Sequence, residues 1–365
     1  MTLQASGAIS ILDVATEFSD SSPTTPHSLS EFYGADANGA GDIPASSTIA
    51  LSDFYGTSNV FWRATAVPNA PNAVACSGNN KYAYADALGN TFKSTDGITW
   101  TLWYASGSST YDTQAMAMSA SGAFGSVGNY GRFINATSFV ATPTVQGIST
   151  TYGMGCSVYG SSEVLYTLFG DGYFNNTIYS HSIVLNTGAR TNHATSHNLH
   201  LGRGISANPN GYALMTGTIA PSWASAHNNA AIANASDVQT LVTIPTSVGS
   251  TEAPWGVGWI PSYGAWLVYI NSLNKFYKVY ENGTVTAATG MPTNRYTRHI
   301  KYDVQTDTIY YGTTTGIWTA PGNSPTTWTQ EVLPAGLSHN IRYMDVKNGQ
   351  KIACAYSTAQ VYVWR

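Results

Sequence analysis

The sequence predicts an all-β chain built from a repeated small sheet, and three observations carry the prediction. Hydrophobic residues make up an ordinary 43%, but charged residues only 9%, against roughly 25% in an average globular protein. Neutral polar residues must therefore solvate the surface, which suits strands rich in Thr and Tyr and turns rich in Gly, Asn and Ser. From about Asn59 onward, short runs alternating Tyr, Val, Ile, Trp and Ala are broken by such turns at strand spacing. Finally, these runs come in adjacent pairs that recur with starts about 40–55 residues apart, within or slightly above the period of a four-stranded propeller blade. The predicted fold is a seven-bladed β-propeller preceded by a short repeated arm.

The elements follow in chain order. Ser10 to Phe18 reads as a helix with Ile11, Leu12, Ala15 and Phe18 on one side. Two nearly identical hexapeptides come next, Leu29-Ser30-Glu31-Phe32-Tyr33-Gly34 and Leu51-Ser52-Asp53-Phe54-Tyr55-Gly56. Ser28 with Glu31 forms a capping-box pattern and Gly34 a helix stop, so each hexapeptide is expected to be a single helical turn. A weaker copy precedes them, in which Ile9, Ile11 and Asp13 align with Ile49, Leu51 and Asp53. Each copy has too few apolar side chains to bury a face alone, so the arm of residues 1–57 needs a partner surface.

Residues 58–365 hold the seven paired runs: Ala73–Ser77 with Tyr82–Asp86, Ala115–Met118 with Ala123–Val127, Tyr152–Val158 with Val164–Phe169, and Leu199–Ile205 with Gly211–Gly217. Trp255–Ile260 with Ala265–Ile270, Tyr296–Tyr302 with Thr308–Gly312, and Ile341–Val346 with Lys351–Ser357 complete them. From Ile341 to Arg365 the last unit has room for three strands and not four. Residues 59–67 form an unassigned strand, and their pairing with the C-terminal strand would close the ring and remove an open sheet edge. A parallel β-helix is the alternative architecture, with shorter and more uniform repeats.

Charge is unevenly placed. Residues 1–62 hold seven acids and no Lys or Arg, while the remaining residues carry all 15 basic and 12 of the 19 acidic residues. An acidic arm suits a basic partner patch, and a merely solvated tail fits the same count. No basic stripe points to nucleic acid. Cys76, Cys156 and Cys354 are odd in number, far apart and set in apolar runs, which predicts reduced core residues and neither a disulfide framework nor a zinc site. The start shows no secretory pattern and no apolar run approaches a membrane span, so the expectation is a protein made in a cytosol with no membrane insertion.

Few motifs point to chemistry. Ser94-Thr95-Asp96-Gly97-Ile98-Thr99-Trp100 resembles the Asp-box of sialidase-like propellers, with one residue fewer between Asp and Gly; Gly322 to Trp328 resembles a degenerate copy without the aspartate. The resemblance implies that Ser94, Asp96, Gly97, Thr99 and Trp100 structure a hairpin between the third and fourth strands of a blade, and implies nothing about catalysis. Glu163, Asp171 and Glu252 are candidates for a glycosidase carboxylate pair, or simply solvated turn acids. His193, His197 and His200 have helical spacing for a metal, but their Asn, Ser and Thr surroundings favour a polar loop, so no metal and no cofactor is assigned. Tyr104, Tyr111, Tyr173, Trp223 and Tyr263 are candidate sugar-stacking residues, each also suited to packing. No Walker loop, dinucleotide fingerprint or metalloprotease motif is present.

Ser-Gly-Ala-Ile-Ser near the start, together with Ile43 to Gly56 (Ile-Pro-Ala-Ser-Ser-Thr-Ile-Ala-Leu-Ser-Asp-Phe-Tyr-Gly), resembles the leading segment of tailed-bacteriophage virion proteins, tail-fibre-like and minor structural proteins among them. The resemblance spans about the first 57 residues. It implies attachment to other virion proteins through Ile9, Ile11, Asp13, Leu29, Glu31, Phe32, Tyr33, Gly34, Leu51, Asp53, Phe54, Tyr55 and Gly56, in several copies per virion. The expected function is a non-enzymatic tail or baseplate component whose propeller contacts a host-surface glycan. The alternatives are a virion-associated glycan hydrolase and a head decoration protein without ligand.

Overall fold

The computed structural model describes residues 10–18, 62–106, 113–128, 132–147, 152–159, 164–170, 178–184, 189–197, 200–218, 229–234, 239–245, 256–270, 273–290, 297–323, 325, 327–333, 340–355 and 358–364. The hexapeptides, and with them Ile9, Leu29, Glu31, Phe32, Tyr33, Gly34, Leu51, Asp53, Phe54, Tyr55 and Gly56, lie outside the described residues. The chain divides into two compact units, Met1–Arg63 with Val363–Arg365, and Ala64–Tyr362.

In the first unit a helix runs over Ile11–Phe18. Its start is fixed by a reciprocal cap. The Asp13 carboxylate accepts from the Ser10 backbone N–H and hydroxyl, both at 2.8 Å, while the Asp13 N–H donates to the Ser10 hydroxyl at 3.2 Å. Asp13, expected to be an anchor contact, thus serves as the cap, and these bonds hold its carboxyl below the usual range. The buried positions are Val14, Ala15 and Glu17, whereas Leu12 is 54% exposed. Of the expected apolar side Ala15 is buried, and Leu12 is corrected to the exposed side, because it sits two residues from Val14 and so points away from it.

The described strands form seven four-stranded antiparallel sheets. Their inner strands are Pro71–Cys76, Thr113–Met118, Tyr152–Tyr159, His200–Ala207, Gly256–Ile260, Thr297–Asp303 and Ile341–Lys347. Each packs against the next, and Ile341–Lys347 packs against Pro71–Cys76. In six of the sheets the strands follow one another outward in chain order. The seventh runs Ile341–Lys347, Gln350–Ala355, Gln360–Trp364, and its fourth place is taken by Trp62–Ala66 from the other end of the chain. The Val67 N–H donates to the Ala359 carbonyl at 2.9 Å beside that junction.

The second strand Ala265–Ile270 (Ala-Trp-Leu-Val-Tyr-Ile) is buried throughout, hence on both faces, and so reads as a continuous apolar run. The core lies between neighbouring sheets. Leu214, Ile232 and Val242 meet Val257, Trp266 and Val268 in one cluster, and Leu267, Tyr269 and Phe276 meet Ile300, Ile309 and Tyr311 in the next. Six of the seven inner strands carry a bulge near their start, at Pro71/Ala73, Thr113/Ala115, Gly153/Gly155, His200/Gly202, Thr297/His299 and Ile341/Tyr343. A bulge increases local twist and bends the strand. Close approach also occurs at Gly258, where a Cβ would stand 2.6 Å from the Ile300 carbonyl oxygen of the adjacent inner strand.

His193 and His197 lie in Ala189–His197, the outer strand of the third sheet, and His200 opens the inner strand of the fourth. Neither the helical spacing nor the polar loop is realised, because both flanking stretches pair as strands and leave only residues 198 and 199 between them. Cys76 and Cys354 are free and buried. No described helix is long and apolar enough to cross a membrane.

Candidate functional site

A cavity of ≈ 260 Å³ opens where five inner strands of the second unit end. Sequence reading missed it. Its charged side chains come from the last two inner strands. Lys301 Nζ lies 3.1 Å from Asp345 Oδ1, and Asp345 Oδ2 accepts the Cys76 N–H at 3.0 Å. Lys347 Nζ donates to the Met118 carbonyl at 3.0 Å, reaching past the first inner strand to the end of the second. Asp303 is committed to turn geometry, its carboxylate accepting from Gln305 N–H at 3.1 Å, Thr306 Oγ1 at 3.1 Å and Gly349 N–H at 2.6 Å.

Trp259 supplies an aromatic wall. Its ring packs edge-to-face on Trp266 at 4.9 Å, its backbone N–H donates to Ser206 Oγ at 3.0 Å, and Trp266 Nε1 donates to the Ser206 carbonyl at 2.8 Å. The rim is set by hairpin turns. Asn208 Oδ1 accepts from Asn210 and Tyr212 N–H at 3.0 and 2.9 Å, closing one turn over Pro209. Val304, in the next-but-one hairpin, is 75% exposed at the cavity mouth.

The sequence-predicted residues are spread elsewhere. Ser94, Asp96, Gly97, Thr99 and Trp100 form the turn between Thr91–Ser94 and Thr101–Tyr104, the third and fourth strands of the first sheet. Asp96 Oδ1 accepts the Ile98 and Thr99 N–H groups and the Ser94 hydroxyl, all at 2.8 Å, while the Gly97 N–H donates to Ser94 Oγ at 2.8 Å. Desolvation pushes the Asp96 carboxyl up, but the bonds from Thr99, Ile98 and Ser94 outweigh it and hold the group well below the usual range. Gly97 has φ +70, where a side chain would be strained; its carbonyl accepts the Thr65 hydroxyl at 3.0 Å. Trp100 packs edge-on to Tyr84 at 4.9 Å. Trp328, in the corresponding turn of the sixth sheet, meets Tyr311 at 5.9 Å.

Tyr104 ends an outer strand opposite Thr91, whereas Tyr263 lies in a hairpin between first and second strands. In an antiparallel sheet these are opposite ends, so the two do not share a face as the candidate stacking set required. Tyr263 is occupied by Lys278, whose Nζ stands 3.5 Å from the ring centroid. Tyr111, Tyr173, Trp223, Glu163, Asp171 and Glu252 lie outside the described residues. No group of three or more His, Cys, Asp or Glu among the described residues is arranged to hold a metal.

Comparison of the whole structure with solved structures agrees with this geometry. The chain is similar to a streptogramin B lyase (TM-score 0.64, 11% identity, 84% of this chain and 97% of that one). It is similar also to virginiamycin B lyase from Staphylococcus aureus (TM-score 0.64, 13% identity, 83% and 98%), and to a chain of a mitotic checkpoint complex (TM-score 0.58, 13% identity, 83% and 93%). The fold is an all-β propeller. At such identities the likeness concerns the fold alone. No protein-family model matches the chain, and no curated protein matches it in sequence.

Proposed function

We propose that the chain is a structural component of a tailed-bacteriophage virion, placed in the tail or baseplate, in which residues 1–57 attach to other virion proteins. The propeller, with its seven sheets taken as seven blades of one ring, presents a host-surface glycan-binding face. The observation that carries the reading is that none of the described sheets draws a strand from before Trp62. The seven described sheets thus complete their strands without the acidic, repeated segment, which supports an attachment role for it. Several copies on one particle turn weak single contacts into useful avidity. The reading is non-enzymatic, and both carboxylates at the cavity are held by structural donors: Asp345 by Lys301 and Cys76, Asp303 by Gly349 and Gln305.

Immunogold labelling of virions tests this. Label at the tail is expected, and deletion of residues 1–57 should leave a folded propeller that no longer joins particles. Normal incorporation of the deleted chain overturns the attachment role; label on the capsid points to head decoration, and loss of surface polysaccharide on incubation with purified protein to a glycan hydrolase.

A further inference from the structure

The geometry points to the cavity at the inner-strand ends as a binding pocket for one pyranose ring, with the Lys301–Asp345 pair receiving a vicinal diol. Its volume of ≈ 260 Å³ sits just below the roughly 300–1,000 Å³ of drug-sized ligand sites, which suits a single ring and not an extended chain. The lining is of two kinds. Trp259 and Ile205 line it with apolar surface, complementary to the C–H face of a sugar. Lys301 and Asp345 supply an ammonium donor and a carboxylate acceptor 3.1 Å apart, with side chains 26% and 13% exposed.

Two neighbouring sugar hydroxyls each donate and accept, so a diol matches a donor beside an acceptor. Hydrogen bonds to charged groups are about twice as strong as neutral ones. The site is pre-organised as well. The Trp259 ring is held by Trp266 and its backbone by Ser206, and Asp345 is held by the Cys76 N–H. Little ordering therefore accompanies binding.

This deepens the glycan-display reading and rests on it for its biological meaning, but the pocket is testable on purified protein alone. Methyl glycosides of glucose, galactose, mannose and N-acetylglucosamine are titrated into the full chain by saturation-transfer NMR. At least one is expected to bind saturably. Val304→Trp, which fills the mouth from an exposed position, and Lys301→Gln, which removes the charge, should each weaken binding by about tenfold or more without lowering the melting temperature of the Val304→Trp protein. Absence of saturable binding by all four, or binding untouched by Val304→Trp, overturns the pocket. Glycoside binding by a protein absent from virions removes the display role and leaves the pocket standing; tail labelling with no glycoside binding does the reverse.

Discussion

Ending the chain at Ala359 removes the strand Gln360–Trp364, which lies between Gln350–Ala355 and Trp62–Ala66 in the seventh sheet. Val361, Tyr362 and Val363 are each 0% exposed. Burying such side chains contributes about 1.5–3 kcal/mol each, so the truncation costs about 4.5–9 kcal/mol before any ladder hydrogen bond is counted. That is the size of a whole domain's stability, about 5–15 kcal/mol. The loss also strands two sheet edges, Trp62–Ala66 and Gln350–Ala355, that the missing segment paired. The expected result is a protein that melts far below the full chain or aggregates, measured by circular dichroism and limited proteolysis. Val361→Ala provides a graded control, expected to cost about 1–3 kcal/mol and to lower the melting temperature by several degrees. A truncated chain that melts with the full-length protein would refute the idea that the C-terminal strand completes the ring.

Three further outcomes are expected. Lys351 and Glu331 form a buried pair at 3.1 Å, with side chains 7% and 14% exposed. Burial holds the Lys351 ammonium below the ordinary lysine range, with the Glu331 carboxylate opposing. Glu331→Gln should cost about 3–5 kcal/mol, and adding Lys351→Met should recover most of it, as a double-mutant cycle by chemical denaturation would show. In Glu331→Gln the folded chain releases the lysine proton more readily than the unfolded one, so stability should rise as pH climbs towards the ordinary lysine range. Asp96→Ala removes three acceptor bonds and should cost about 1–2 kcal/mol after allowance for its exposure. Because its folded carboxyl titrates below the ordinary value, that contribution is present above the usual aspartate range and is lost only as pH falls through the lowered value, which a comparison of acid unfolding of the two proteins checks. Finally, burial pushes the Cys354 thiol up to about 12, and burial followed by the Asp345 charge pushes Cys76 up as well. Neither should react with a thiol reagent at mildly alkaline pH until the protein unfolds, and prompt labelling of either would contradict its burial.

Much of the fold was legible because each strand pair is a local pattern. Tyr82–Asp86, Ala265–Ile270 and Gln350–Ala355 are apolar runs closed by turn residues, and pairing between neighbours in sequence needs no distant information. The Ser94–Trp100 turn was legible for the same reason, since the bonds that Ser94 and Asp96 make within it span three residues or fewer. Where reading by period failed, a partner beyond the segment decided. The spacing of His193, His197 and His200 suits a helix, but pairing of Ser180 with His193 and of His200 with Thr218 makes both stretches strands. The stacking set failed differently: Tyr104 and Tyr263 look alike in sequence, and only strand direction sends them to opposite ends.

The cavity was least legible. Trp259, Lys301, Asp345 and Lys347 are far apart in sequence, and each resembles an ordinary strand residue. One signal was present all the same. In a chain only 9% charged, Lys301, Asp303, Asp345 and Lys347 fall at the ends of two runs read as innermost strands, where a charge is costly unless it is paired or solvated.

By itself the sequence determined the all-β class, the repeated strand pairs and the local turn chemistry, because these depend on neighbours along the chain. The tertiary structure alone decided which inner strands stand side by side, where bulges bend them, and that Lys301 meets Asp345 across two sheets. The physical reason is that packing between sheets brings together side chains whose separation in sequence carries no periodic mark.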